Sequence, residues 1–185
     1  MESLKDWMLK TIREENSKGV MSGWLEEELY KWTPLVSSTL HSLLNGVSFI
    51  VLTDTPRAWL RTYILQNINH PSKNRPYIPF VGMDNLDVLL GQEMRSTDNL
   101  KLAEGMLDLV YRDYAFFYIG RREGLRAELA LGNENSFLWL LDESLSNAFT
   151  LESFNPMLDF RLLQLYKIFD QTLSAMIAGK ISLEA

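Results

Sequence analysis

The fold of this chain is decided by the stretch Val47-Ser48-Phe49-Ile50-Val51-Leu52. The stretch is rich in β-branched and aromatic side chains and too short for a buried helix, so it predicts a strand covered on both faces. Apolar residues with helical spacing lie before and after it. A strand of this kind between helices is typical of a parallel sheet with helices on both sides.

The same alternation continues through the rest of the chain. The apolar runs 114–119 and 137–141 predict two more buried strands, and 77–81 predicts a shorter one. Helical patterns separate these runs, and the longest amphipathic helix closes the chain at about 158–179. This order predicts an α/β fold, a three-layer sandwich with a mostly parallel sheet and a long C-terminal helix. Without a linker or repeat, residues 1–185 are predicted to form one domain.

Three helices are predicted before the first strand. The first carries Leu4, Met8 and Ile12 on one face, and the second covers about 24–32. The third opens at Thr33-Pro34, because proline is favoured at the first helical position, where its missing N–H is not needed. By the same argument a Thr-Pro pair at 55–56 opens the helix after the strand.

Composition excludes several classes of function. The 18 Lys and Arg are outnumbered by 24 Asp and Glu, and a net charge of -6 argues against direct binding of nucleic acid. The absence of cysteine removes disulfides, thiolate metal sites and thiol nucleophiles. The apolar runs are too short to cross a membrane, and the acidic start does not resemble a signal peptide. We therefore expect a cytoplasmic, globular protein.

Acidic residues follow three of the predicted strands, where open α/β sheets bind their ligands. Asp54, Asp84 and Asp142 could converge on one Mg²⁺ and serve a phosphotransfer or sugar-phosphate enzyme. Alternatively, each carboxylate caps or precedes a helix N-terminus. The chain contains no Gly-rich nucleotide motif, no H-E-x-x-H and no G-x-S-x-G. We therefore favour capping, and predict no enzyme activity, no cofactor and no metal.

Two surface groups are candidates for binding a partner protein. Arg121 and Arg122 follow the strand 114–119 and could hold an acidic partner, although neighbouring acids favour a self-neutralised surface. Trp24 lies off the buried stripe of its helix, beside Glu26 and Glu27. An exposed tryptophan surrounded by acids can anchor a partner, and a subunit interface would use it equally well.

Several short blocks, distributed over nearly the whole chain, resemble one family. They are Asp6-Trp7, Thr11-Ile12-Arg13-Glu14, Gly23-Trp24-Leu25-Glu26-Glu27, Trp32-Thr33-Pro34-Leu35, Phe49-Ile50-Val51-Leu52-Thr53-Asp54, Asn74-Arg75-Pro76, Pro79-Phe80-Val81, Phe116-Phe117-Tyr118-Ile119-Gly120, Ser136-Phe137-Leu138-Trp139-Leu140-Leu141-Asp142-Glu143 and the closing Leu158-Asp159-Phe160, Leu165-Tyr166 and Phe169-Asp170. In these blocks the chain resembles HobA, a family of small DnaA-binding regulators of replication initiation in epsilon-class proteobacteria.

The resemblance implies a fold related to the sugar-isomerase (SIS) domain, a Rossmann-like architecture, and a homotetramer. It also implies a non-enzymatic scaffold that holds several copies of the initiator DnaA, through their N-terminal domain, at the replication origin. An isomerase site would need a loop rich in serine and threonine after the first strand, where this chain has Thr53-Asp54-Thr55-Pro56. The resemblance therefore favours a binding protein that kept the fold without the enzyme's site. Independently, the apolar stripes of the first and last helices predict a homo-oligomer.

Overall fold

A five-stranded parallel sheet forms the centre of the computed structural model, which describes residues 2–91 and 97–183. Its strands are β2 (Ser48–Thr53), β3 (Phe80–Val81), β4 (Tyr114–Arg121), β5 (Phe137–Leu141) and β6 (Ala148–Leu151), in the spatial order β3-β2-β4-β5-β6. All four strand pairs are parallel. Near the two ends of the chain, β1 (Glu2–Ser3) and β7 (Ile181–Ser182) form a separate parallel pair.

Seven helices in the described part of the chain cover both faces of this sheet. They are α1 (Leu4–Ser17), α2 (Trp24–Leu44), α3 (Ala58–Asn67), α4 (Asp84–Leu90), α5 (Thr97–Val110), α6 (Gly124–Leu131) and α7 (Leu158–Ile177). The first three helices and α7 pack on one face, and α4, α5 and α6 pack on the other. The predicted α/β fold, with its parallel sheet and long C-terminal helix, is confirmed. Among the described residues, no helix is long and apolar enough to cross a membrane.

The strands are apolar throughout because each contributes to two cores. In β2, Phe49 and Val51 point into the core beneath α1, α2, α3 and α7, while Ile50 and Leu52 point into the core beneath the other helices. Successive side chains of a strand lie on opposite faces, so a sheet covered on both sides needs no polar alternation. The stretch 47–52 therefore correctly predicted a buried strand. Its predicted bounds differ from those of β2 by one residue at each end.

The predicted helix start at Thr33-Pro34 is wrong. Pro34 lies inside one continuous helix, α2, where it cannot donate the hydrogen bond that the carbonyl of Tyr30 would otherwise accept. The buried residues of α2 form one uninterrupted stripe on both sides of the proline, which includes Trp32 and Val36. Burial of that stripe outweighs the local cost of the proline, about 3 kcal/mol in an isolated helix.

Two elements that pack in or on the central sheet, β6 and α4, were not predicted, and neither were the two-residue strands β1 and β7. The edge strand β6 has only four residues and follows a polar turn, and α4 has only seven, of which Leu86 and Leu90 are buried. Neither is long enough to show a hydrophobic period. The helix after β2 begins with a 3-10 turn, Thr55–Arg57, and the residue that caps it is Asp54, not Thr55.

Candidate functional site

A cavity of about 590 Å³ opens at the carboxyl ends of β2 and β4. The strand order reverses between these two strands, which is where open α/β sheets bind their ligands. Basic and acidic side chains line the cavity together, among them Asp54, Arg57, Arg121 and Arg126. Two of the predicted strand-end loops, those after β2 and β4, therefore line one cavity together.

Asp54 is occupied by hydrogen bonds within the protein. Its carboxylate accepts from the backbone N–H of Arg57 at 3.3 Å and from that of Arg121 at 2.9 Å, and it also pairs with the guanidinium of Arg57. Gly120 permits the close approach, since a Cβ there would lie 2.7 Å from the Asp54 carboxyl carbon. Asp54 therefore caps the turn after β2 and joins that turn to the end of β4.

The other two acids, Asp84 and Asp142, lie outside this cavity and make different contacts. Asp84 is in the first turn of α4, with its side chain 95% exposed and 3.5 Å from Arg61. Asp142 accepts from the backbone N–H of Ser153 at 2.7 Å, and hydrogen bonds from Ser153 lower the pKa of its carboxyl. No helix begins directly after Asp142, so the capping prediction is wrong for this residue and holds for Asp54.

Nothing in the described chain supports the Mg²⁺ hypothesis. Within residues 2–91 and 97–183, no three carboxylate or imidazole side chains come close enough together to hold a metal ion. Of the two histidines, His70 accepts from the backbone N–H of Ser72 and caps a 3-10 turn, while His41 is exposed on α2. Asp54 and Asp142 instead hold loops in place.

Arg121 and Arg122 bind the loop that connects β5 to β6, and Arg121 also binds the segment that follows β6. The guanidinium of Arg121 donates to Ser153 Oγ at 3.0 Å and lies 3.6 Å from the Asp142 carboxylate. Arg122 pairs with Glu143 at 3.3 Å. Both side chains remain about half exposed, so they can still accept a second anionic group. The acids that partly neutralise them come from the next strand-end loop and were not evident from the local sequence.

A second cavity, of about 690 Å³, lies between α2 and the edge strand β6. We call it the α2–β6 cleft. Trp24, Glu27 and Tyr30 of α2 form one wall, while Leu145 and Glu152, on either side of β6, belong to the other. Sequence reasoning missed this cleft because it missed β6.

Trp24 forms part of one wall of the cleft and is held there by contacts with α7. Its side chain is half-buried, and its indole Nε1 donates to Gln164 Oε1 on α7 at 2.7 Å. The guanidinium of Arg161 lies 4.7 Å from the ring centroid. The helical stripe of α2 alone did not show this packing, because α7 is distant in sequence.

The two acids next to Trp24 have different surroundings. Glu26 points away from the cleft and pairs with Arg13 of α1 at 3.0 Å. Glu27 lines the cleft and is exposed, as is Glu152 on the opposite wall. Within the described residues, no cation pairs with either of the two. Lys31, also in the cleft, is held by Glu28 at 2.8 Å.

The β5–β6 loop connects the two predicted groups. Arg122 binds Glu143, and the next residue, Ser144, already lines the cleft. The cleft wall opposite Trp24 and Glu27 therefore continues, through this loop, to the arginines at the carboxyl edge of the sheet. Of the residues predicted to bind a partner, only Glu26 lies off this continuous surface.

Comparison with known proteins gives consistent matches over the whole chain. The model of the family HobA, described as a DNA replication regulator, matches residues 1–183. The DNA replication regulator protein HobA of Helicobacter pylori (strain ATCC 700392 / 26695) is 31% identical over 187 residues, which cover 99% of this chain and 100% of that protein.

Two solved structures from Helicobacter pylori have the same fold. One is a HobA–DnaA (domain I-II) complex, with a TM-score of 0.74, 29% identity and coverage of 98% of this chain and 99% of that one. The other is HobA, with a TM-score of 0.73, 28% identity and coverage of 96% and 97%.

Proposed function

Because this chain belongs to the HobA family of DNA replication regulators, we propose that it controls replication initiation by binding the initiator DnaA through the initiator's N-terminal domain. The observation that carries this proposal is the similarity, over 98% of the chain, to a HobA chain crystallised with domains I-II of DnaA. Acting on the chromosome, the protein works in the cytoplasm.

We further propose that the protein acts without catalysis. Support comes from the cavity at the strand ends, where the charged side chains bind one another. Asp54 engages Arg57 and the backbone of Arg121, and Arg126 pairs with Asp87 at 2.7 Å. A catalytic acid or base must be free to exchange a proton with a substrate, and these groups are held by structural contacts.

The α2–β6 cleft and the adjoining arginines are the surface we propose for DnaA. Trp24 and its hydrogen bond to Gln164 give the cleft a wall that is already ordered, which lowers the entropic cost of binding. Tyr30 is 66% exposed at the same wall and offers aromatic surface. Glu27, which pairs with no cation among the described residues, favours a basic residue of the partner, and Arg122 at the other end favours an acidic one.

Several equivalent surfaces in one assembly would let the protein regulate initiation by holding several DnaA molecules together. Once one DnaA molecule is bound, a neighbour tethered to the same origin DNA meets the next surface at raised effective concentration. No contact between this protein and DNA is required, which agrees with its net charge of -6. The proposal therefore includes a homo-oligomer, the homotetramer that the resemblance implies.

A pair of charge reversals on adjacent residues tests the proposed surface. Glu27→Arg places a cation in the cleft and should raise the dissociation constant for DnaA domains I-II at least about tenfold, or ~1.4 kcal/mol. Glu26→Arg is the matched control, since it changes the same charge on the same turn but faces Arg13, and we expect an effect below about threefold. Isothermal titration calorimetry measures both.

Two results would contradict the proposal at different levels. Equal loss of affinity in both variants would move the site from the cleft to the N-terminal face of α2. Failure of the unaltered protein to bind DnaA domains I-II at all would refute the proposed function itself. Light scattering on each variant shows whether a change in affinity comes with a change in assembly.

A further inference from the structure

Strand β6 leaves one edge of the central sheet open. It comes last in the strand order and, among the described strands, pairs only with β5. The backbone N–H of Asp142 donates to the carbonyl of Leu151 at 2.9 Å, so Leu151 directs its backbone groups toward β5. Successive residues of a strand direct these groups to alternate sides. Thr150 therefore directs its N–H and carbonyl away from β5, and neither has a hydrogen-bond partner among the described residues.

The β6 edge lacks the features that usually protect an open strand. Such protection commonly comes from lysine, proline, a bulge or a very short strand. The sequence of β6, Ala148-Phe149-Thr150-Leu151, contains no charge and no proline, and its four residues pair with β5 in unbroken register. At the opposite edge of the sheet, β3 has only two residues and directly follows Pro79. Of the two edges, that of β6 is therefore the one suited to bind a further strand.

The α2–β6 cleft provides the space in which a further strand would lie. Ala148, Thr150 and Leu151 line it along the open edge, while Trp24 and Tyr30 lie on the α2 wall. At the spacings of a β-sheet, about 4.8 Å between strands and about 10 Å between layers, a four-residue segment occupies roughly 600 Å³. The cleft has a volume of about 690 Å³, so one such segment fits beside β6.

The charges in the cleft indicate which kind of segment fits there. Glu27 on α2 and Glu152, directly after β6, are exposed and pair with no cation among the described residues. The basic side chains that line the described part of the cleft are Lys31 and Arg161, and they already contact a glutamate and a tryptophan ring, respectively. A segment that carries a lysine or an arginine is therefore complementary to the cleft.

We propose that the β6 edge binds an extended basic segment of DnaA domains I-II, which joins the sheet as a sixth strand. This inference rests on the proposed function, since it takes the α2–β6 cleft as the DnaA surface, and it adds the way in which DnaA is held there. Backbone groups of the segment pair with the N–H and carbonyl of Thr150, and a basic side chain reaches Glu27 or Glu152. A helix in the same place would satisfy its backbone groups internally and leave those of Thr150 unpaired.

Proline at position 150 tests the backbone pairing. Thr150→Pro removes the outward N–H, and because that N–H does not bond to β5, proline should be tolerated at this edge position. Thr150→Ala is the matched control, since it also loses the hydroxyl that donates to the carbonyl of Glu143 but keeps the N–H. Isothermal titration calorimetry with DnaA domains I-II should give a dissociation constant at least about tenfold higher for Thr150→Pro than for Thr150→Ala. Equal dissociation constants would overturn the proposal.

Hydrogen exchange tests the same pairing on the unaltered protein, so it decides the question even if Thr150→Pro does not fold. The amides of Phe149 and Leu151 face β5 and should exchange slowly both with and without DnaA domains I-II. The amide of Thr150 should exchange at least about tenfold more slowly in the complex than in the free protein. Nuclear magnetic resonance of isotope-labelled protein resolves the individual amides. An unchanged rate for Thr150 would contradict a sixth strand.

Removal of one acid tests the charge of the segment. Glu152→Gln keeps the size of the side chain and should raise the dissociation constant at least about threefold at low salt, and less at high salt, because salt screens exposed charges. Glu134→Gln is the control, since Glu134 is exposed in the loop before β5, far from the cleft in sequence, and should leave the affinity unchanged. Unchanged or tighter binding by Glu152→Gln would show that the segment is not basic and overturn that part of the proposal.

Failure of this inference is distinguishable from failure of the proposed function. If the unaltered protein does not bind DnaA domains I-II at all, the proposed function is refuted and the sixth strand with it. If it binds, but Thr150→Pro and Thr150→Ala bind equally and the Thr150 amide exchanges at its free rate, only the sixth strand is refuted.

Discussion

Gly120 decides how closely the loops after β2 and β4 approach each other. The Asp54 carboxylate occupies the space where a side chain would stand, and from there it accepts the backbone N–H of Arg121. The hydroxyl of Tyr118 lies on the other side and donates to the carbonyl of Arg121 at 2.5 Å. One missing side chain thus allows two hydrogen bonds that fix the end of β4.

Gly120→Ala should therefore lower the free energy of unfolding by about 1–3 kcal/mol, the usual cost of overpacking. Its Cβ would lie 2.7 Å from the Asp54 carboxyl carbon and 2.8 Å from the Tyr118 hydroxyl. Gly132→Ala serves as control, because its nearest contact of 3.4 Å is ordinary, and we expect a change within about 0.5 kcal/mol. Urea denaturation compares the two, and equal stabilities would show that the strand ends adjust freely.

At the scale of elements, one arginine fastens the proline-containing segment between α3 and β3 to the C-terminal helix. The Arg75 side chain is only 5% exposed and pairs with the Asp170 carboxylate of α7. Its guanidinium also donates to the carbonyl of Asp170 at 3.0 Å, to Ser174 Oγ at 2.6 Å and to the carbonyl of Ile68 at 2.7 Å. Polar contacts thereby hold this segment against α7.

We expect Arg75→Ala to destabilise the protein by about 3–5 kcal/mol, because it leaves a buried carboxylate with only Lys73 beside it. Arg75→Lys keeps the charge but loses the planar fork, so it should recover only part of that stability. The control is Arg13→Ala, which breaks the exposed pair with Glu26 and should cost less than about 1 kcal/mol. Similar denaturation midpoints for Arg75→Ala and Arg13→Ala would contradict the role of Arg75.

At the scale of the whole molecule, the excess of acidic residues disfavours direct binding to DNA but leaves binding to the initiator protein possible. With 24 acids against 18 basic residues, the protein cannot replace the counterions of a duplex over a large surface. The two arginines at the carboxyl edge of the sheet, Arg121 and Arg122, are already engaged with Asp142 and Glu143. We therefore propose that DNA enters the mechanism only through the bound partner.

Accordingly, fluorescence anisotropy of a labelled origin duplex should not change when this protein is added alone at physiological salt, since few phosphates can be neutralised. Addition of DnaA should raise the anisotropy, and this protein should raise it further, because it binds the DnaA molecules already on the duplex. An Arg121→Glu and Arg122→Glu double variant is a useful control. A direct, salt-dependent change with the unaltered protein that this variant abolishes would show that it does contact DNA.

The sequence by itself determined the elements whose hydrophobic pattern is complete within one segment. The runs behind β2, β4 and β5 are buried on both faces, so their residue types predict a strand without knowledge of any neighbour. The period of α7 is likewise complete within its own 20 residues. The net charge, the missing cysteine and the resemblance to a family of regulators needed only the chain itself.

Only the tertiary structure showed which segments far apart in the chain contact one another. Pro34 is tolerated inside α2 because packing on the sheet supplies more free energy than the lost hydrogen bond costs. Trp24 is held because α7, far along the chain, places Gln164 beside it. The cleft beside β6 exists for the same physical reason: whether a side chain is covered depends on which elements pack beside it, and local sequence does not carry that information.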